Sequence, residues 1–363
     1  MRTGVAMALA ITAAAGVGLA WWLTRSVPAE ALARVEEPVA LRAIAGERPL
    51  VVVLADNAGT ETTDLLVPHG ILQRSGLVDV RIVSTEPGRV TLMPALAILA
   101  DETIAGFEAE HPEGADVVVV PALHSRGTPA TSRFLQEQAA RGALVVSICE
   151  GAEVVARAGL LDGRAATTHW HAHDRLARSH PPVAWRRNAR YVVDGPVISS
   201  AGVSASVPVT LALLEILAGT PAARDQAVAL GIARWDAHHD SDAFGMRAGD
   251  YALAASNIAR FWRHETLGTP VANGLDGVAL ALQADAWSRT WRSTLVAVNE
   301  AGRVVSAEGV TLLTEEEAPH RLAARTGAPI AALDATLAGI AERYGAPTAR
   351  FVALQLEHPW AGL

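Results

Sequence analysis

The sequence predicts a doubly wound α/β domain with a mostly parallel sheet, together with a hydrophobic amino-terminal helix and an additional α/β segment at the carboxyl end. Three observations predict it. From Pro49 onward, short β-branched runs alternate with longer amphipathic stretches. The runs are almost continuously apolar, as strands buried on both faces are. The gaps between the first four of them leave room for crossover helices.

Taken in order, residues 1–25 carry one early positive charge, an uncharged apolar run from Gly4 to Leu23, and then Thr24 and Arg25. About 20 such residues span a bilayer as a helix, and Trp21 and Trp22 suit its interfacial belt. A membrane anchor with an extracytoplasmic globular part is therefore expected. The small residues of "PAEALA" (28–33) leave open a cleaved signal and a secreted or periplasmic product. Residues 26–48, rich in Ala, Glu and Arg, read as a linker.

In the domain at 49–218, strands are expected at 50–56, 78–84, 115–122, 142–148 and 191–202, and helices at about 62–75, 129–141, 151–159, 172–178 and 206–218. In the carboxyl segment, 219–363, the runs 247–268 and 329–345 have helical spacing, whereas 277–284 and 293–299 read as strands. "STLVAVNEAGRVVSAEGVTLLTEEEAP" (293–319) echoes "VRIVSTEPGRVTLMPALAILADETIAG" (80–106) in order and turn chemistry. This makes the carboxyl segment a candidate degenerate partial repeat, with chance likeness of two Ala/Val-rich segments as the alternative.

Composition narrows the chemistry. A formal net charge of −8 and a pI near 5.8 leave no broad basic surface for a phosphate backbone, so no nucleic-acid partner is expected. All 30 basic residues are arginine, which excludes a Schiff-base lysine and suggests a GC-rich bacterial genome. The single cysteine, Cys149, excludes an internal disulfide and a cysteine-built zinc site. It is either a buried inert thiol or a reactive one.

Cys149 ends the run "GALVVSI" and is followed at once by Glu150, Gly151 and a helix-forming stretch. A strand that ends where a helix begins is a nucleophile-elbow arrangement, which projects the side chain above the carboxyl edge of the sheet. A helix amino terminus there favours a thiolate.

At this point the chain resembles the ThiJ/PfpI superfamily, with its flavodoxin-like, class I glutamine amidotransferase-like fold. "ICEGAEVVARAGLLDGRAATTHW" (148–170) is similar to the stretch linking the family cysteine to its histidine, above all in AraC-regulator-type domains and isocyanide hydratases. "AGTETTDLLVPHGILQRSGL" (58–77) resembles the first strand-to-helix corner, and "YVVDGPVISSAGVSASVPVTLALLEIL" (191–217) the closing strand and helix.

The resemblance implies Cys149 as nucleophile, Glu61 as its acid partner and His169 as an assisting residue, with the backbone N–H groups of Glu150 and Leu123 at an oxyanion site. Glu61 would be a protonated acid hydrogen-bonded to sulfur, or an acid/base toward substrate. Where glutamine-hydrolysing members carry an acid two residues after the histidine, this chain has His171; Asp174 is an auxiliary candidate or a surface charge, and Trp170 a candidate stacking residue. Glu150 stands where PfpI-type peptidases place a histidine. Ala122 and Leu123 replace a Gly-Gly pair, and no helix-turn-helix is recognisable.

A helix just after Trp170 would scatter His169, His171 and His173, so no metal is expected, and no cofactor. The resemblance implies a small-molecule hydrolase or hydratase acting on an isocyanide, amide or reactive carbonyl. The alternative is a non-catalytic redox- or ligand-sensing extracytoplasmic module. Expected partners are a small molecule, the membrane through the amino-terminal helix, and a second copy in a homodimer.

Overall fold

The Val/Ile runs form the strands their burial demands: Val51, Val52 and Val53 are wholly inaccessible, as are Val117 to Val120. The structure, a computed structural model, describes residues 48–361 except Thr326. The strands are β1 (Leu50–Ala55), β2 (Thr60–Glu61), β3 (Asp79–Ser84), β4 (Arg89–Met93), β5 (Ala97–Leu99), β6 (Glu102–Thr103), β7 (Val117–Val120), β8 (Leu144–Ser147), β9 (Ala165–Ala166), β10 (Ala184–Trp185), β11 (Tyr191–Asp194) and β12 (Val197–Ser200). The carboxyl segment adds β13 (Glu265–Pro270), β14 (Ser293–Val298), β15 (Arg303–Val305), β16 (Thr311–Leu313) and β17 (His320–Arg321).

The central sheet has the order β11-β12-β8-β7-β1-β3-β6, parallel except for β11 at its edge. Between its strands run α1 (Thr62–Ser75), α2 (Ile104–Glu110), α3 (Pro129–Ala140), α4 (Gly151–Arg157) and α5 (Trp170–Ser179), and α6 (Ser206–Ala218) follows the last of them. Local chemistry sets their ends. Thr128 and Thr131 make a capping box at the start of α3, and Gly76, at φ 65°, closes α1 in the left-handed conformation that glycine adopts freely.

The carboxyl segment contributes α7 (Thr220–Leu230), α8 (Ala248–Ala259), α9 (Gly277–Ser288), α10 (Pro329–Tyr344) and α11 (Ala346–Gln355). Two of its elements differ from expectation. Residues 277–284, expected as a strand, form part of α9, all twelve of whose residues are buried. A helix apolar all round shows no 3.6-residue stripe, so periodicity cannot separate it from a buried strand. The helical reading of 247–268 holds only for α8, since Glu265–Pro270 form β13, parallel to β14. α9 packs on α1, at a crossing where a Cβ on Gly70 would lie 2.4 Å from Val278. β16 pairs antiparallel with β5, continuing the sheet β15-β16-β5-β4-β2.

The expected placement on a membrane is corrected here. Among the described residues no helix is long and apolar enough to cross a bilayer. The longest, α10, has 16 residues where about 20 are needed. Gly4–Leu23, on which the anchor, the exported location and the amino-terminal helix all rested, lies outside the described residues.

Candidate functional site

Cys149 sits between β8 and α4 at φ 56°, a conformation a side chain adopts only under constraint. Its N–H donates to Ala201 O (3.1 Å) and its carbonyl accepts from Thr168 Oγ1 (3.0 Å), which locks the corner to the next strand and to the stretch before α5. Gly151 is obligatory: an added Cβ would lie 2.1 Å from Val120 O, so α4 approaches β7 closely only because that atom is missing. The sulfur is buried, and among the described residues no hydrogen bond reaches it.

The acid side of the site is built at the start of α1. Glu61 caps this helix and accepts from Asp64 N (2.6 Å) and Thr63 Oγ1 (2.9 Å) on Oε2, and from Arg289 Nη2 (2.7 Å) on Oε1. Both of its oxygens accept hydrogen bonds, and among the described residues none runs from it to the Cys149 sulfur. Burial, and next the neighbouring Glu61, raise the Asp64 carboxyl well above the ordinary range. Its Oδ2 accepts from Ala122 N (3.1 Å), and Ser206 Oγ lies 3.5 Å from Oδ1.

Arg289, which caps the carboxyl end of α9, bridges Glu61 (2.7 Å) and Asp285 (2.8 Å). Burial alone would lower its guanidinium, yet Asp285 and Glu61 keep it raised. Asp285 itself is pushed up to about 7, by burial against the pull of Arg289. Burial, then Asp64, Glu150 and Glu61, push the Cys149 thiol up, and Arg289 opposes them. The low-pKa thiolate expected from the helix terminus is therefore not what this geometry produces. The corner is closed, and carboxyl groups face it from two sides.

His169 is brought to the same end of the sheet but turned elsewhere. Its Nδ1 accepts from His171 N (3.3 Å) and its Nε2 donates to Gln355 O (3.1 Å); burial lowers its pKa. The acid beside it is Glu357, with Oε1 3.7 Å from Nε2. Glu357 also accepts from Trp170 N (3.2 Å) and from His239 Nε2 (2.6 Å). A Cβ on Gly202 would come within 2.6 Å of the His169 ring and 2.8 Å of the Glu357 carboxyl, so this contact too depends on a glycine.

Asp174 is not in the site: it pairs with Arg187, and its side chain is 70% exposed. Trp170 starts α5 and donates from Nε1 to Leu354 O (3.3 Å). The N–H groups of Glu150 and Leu123 donate to no protein acceptor among the described residues.

Sequence reasoning missed Asp64, Arg289, Glu357 and His239. The spacing Glu61-x-x-Asp64 at a helix start signals two carboxyls on one face. The other three lie far along the chain from their partners, and no local pattern marks them.

Residues 50–216 match the DJ-1/PfpI family. Over 166 residues the chain is 32% identical to the isonitrile hydratase of Pseudomonas putida, covering 44% of this chain and 69% of the hydratase. It is 30% identical over 189 residues to the Parkinson disease protein 7 homolog of Danio rerio, covering 50% and 94%. The HTH-type transcriptional regulator CdhR of Pseudomonas aeruginosa is 40% identical over 87 residues, 24% of this chain and 26% of the regulator. Among solved structures, a DJ-1 superfamily protein of Salmonella typhimurium aligns at 25% identity with a TM-score of 0.46, over 51% of this chain and 99% of that one. The chain belongs to the DJ-1/PfpI family.

Proposed function

We propose that the chain is a cysteine-dependent hydrolase or hydratase of a small electrophile, an isocyanide, amide or reactive carbonyl, with Cys149 as nucleophile. The observation that carries this reading is the strained Cys149 corner, with the Asp64 carboxyl beside it pushed by burial well above the ordinary carboxylate range. The similarity to an isonitrile hydratase and to a deglycase of Pyrococcus horikoshii (29% identical over 148 residues) supports the substrate class.

For an isocyanide, sulfur bonds to the terminal carbon and the thiol proton passes to that carbon through Asp64, giving a thioimidate. Water then adds to the same carbon while nitrogen takes up a proton. The carbon–sulfur bond breaks, the thiol is restored and an N-substituted formamide leaves, so the net change is addition of one water. The N–H groups of Glu150 and Leu123 stabilise developing negative charge, and the fully engaged Glu61 holds α1 and Arg289 in place.

A second reading, a redox- or ligand-sensing module of the same fold, is favoured by His169, which spends both ring nitrogens away from the sulfur. Incubation with an aliphatic isocyanide, a primary amide and methylglyoxal, with product detection by mass spectrometry and Cys149→Ser as control, separates the two. Turnover that Cys149→Ser abolishes is expected. No turnover of any of the three by folded protein overturns the enzymatic reading.

A further inference from the structure

We infer that residues 265–321 are a degenerate second copy of the first βαβ unit, folded back onto it as a partner within the same chain, and that the copy's Arg289 is a positioning residue for the Cys149 site. The part concerning Arg289 rests on the function proposed above; the pseudo-symmetry does not.

The correspondence runs element by element. β1 and β13 are both six-residue strands, each paired in parallel over six residues with the strand after the following helix, β3 and β14. The start of the strand, the acid that caps the helix and an arginine at the helix end recur at one offset: 265 − 50, 276 − 61 and 289 − 74 are all 215. Both acids, Glu61 and Asp276, accept from the backbone N–H three residues on. Beyond the helix the offset is 214, for β15 on β4 (303 − 89) and β16 on β5 (311 − 97). Two isolated parallel bridges, Leu275 to Ser306 and Val298 to Glu315, stand where the first unit has β2 on β4 and β3 on β6.

The contact between the copies has the form of a two-fold interface, in which residue i meets j and the equivalent of j meets the equivalent of i. Arg289 donates to Glu61 (2.7 Å), and its counterpart Arg74 donates to Asp276 (2.5 Å). At the sheet junction Ile98 pairs with Leu312, its own equivalent (312 − 98 = 214), so the pseudo-axis passes through that pair. α9 thus covers in cis the face of α1 that it meets. The copy carries no cysteine, so only the Arg289 half of the reciprocal pair serves a thiol. The titratable and charged groups facing Cys149 are Asp64 and Glu61 of the first unit, Glu150 on its own corner, and Arg289 of the copy.

Two experiments test this without depending on turnover. In a Cys149→Ser background, Leu99→Cys with Thr311→Cys, which are register partners across β5 and β16, should oxidise to a disulfide within one chain. The non-reduced species then has the mass of a single chain, and a cross-linked dimer overturns the in-chain partner. Separately, the pH midpoint of Cys149 alkylation is compared in Arg289→Gln and Arg74→Gln. An opposite charge close to an ionising group moves its pKa by about 1 to 3 units. Arg289→Gln should therefore raise the midpoint by about one unit or more, and Arg289→Lys should restore part of it. Arg74→Gln, which cuts the equivalent pair in the cysteine-free corner, should leave it in place. Equal shifts in both Gln variants, or none in either, overturn the positioning role. If Arg289→Gln does not fold, Arg289→Met against Arg74→Met carries the same comparison.

Discussion

At Cys149 the backbone and the surroundings pull in different directions. The elbow places the sulfur at the start of a helix, which favours a thiolate. Burial and the neighbouring carboxyls favour the thiol, and the net direction is upward. Iodoacetamide should therefore label Cys149 in the folded protein at pH 7 at least about tenfold more slowly than in the urea-unfolded chain, a factor of ten being one pKa unit. Equal rates would show that the corner does not hold the proton on sulfur.

Asp64 gives a second test at this scale. Its folded pKa is raised, so the native state binds its proton more tightly than the unfolded chain does. Its contribution to stability is complete below the ordinary carboxylate pKa and is lost as pH rises toward the folded value. Asp64→Asn keeps an acceptor for Ala122 N and removes this loss. The stability of the variant relative to wild type should thus improve between pH 4 and pH 8, by up to ~1.4 kcal/mol for each pH unit within the window. Urea unfolding at the two pH values measures it, and a pH-independent difference would place the proton elsewhere.

Secondary elements were legible in the sequence where a short β-branched run or the chemistry of their ends set them apart, and obscure where neither did. The Val runs of β1, β7 and β8, the helix starting after Glu61 and the turn at Cys149 all follow from short-range pattern. α9 does not, because its twelve buried residues carry no stripe, and β13 was absorbed into the helical periodicity before it. Of the site, the thiol corner and the histidine could be placed from one continuous stretch. Arg289 and Glu357 could not: each meets its partner across more than 180 residues, and tertiary pairing over such distances leaves no local signature.

The close approach of α4 to β7 is the element-scale feature most open to test. Gly151→Ala puts a methyl group where Val120 O already lies, and should cost about 2–4 kcal/mol in urea unfolding by forcing the backbone apart. Gly249→Ala, in the first turn of α8 where an added Cβ meets nothing, should be neutral or gain up to ~1 kcal/mol. Similar costs at both sites would mean that the α4 contact is not specific.

At the scale of the molecule, the first domain's histidine is enclosed by the last described turn of the chain. Leu354, Gln355 and Glu357 bind Trp170 and His169, and His239 joins them from the segment between α7 and α8. Glu357 is the keystone of this closure, being 1% exposed and shared by Trp170, His169 and His239. Burial opposes its charge, yet the hydrogen bond from His239 holds its carboxyl below the usual range. A carboxyl depressed in the folded state contributes stability that is present above its unfolded pKa and is lost as pH falls through its folded pKa. Glu357→Gln is nearly isosteric but cannot hold the charge, and it leaves His239 without an anionic partner. It should therefore cost about 2–3 kcal/mol in urea unfolding at pH 7, in the range for losing a buried hydrogen bond to a charged group. The cost should shrink as the pH drops below about 4, because wild type then loses the same charge. A penalty of equal size at pH 7 and pH 3 would mean that Glu357 acts through shape alone, and that the carboxyl-terminal turn is held over His169 by packing and not by its charge.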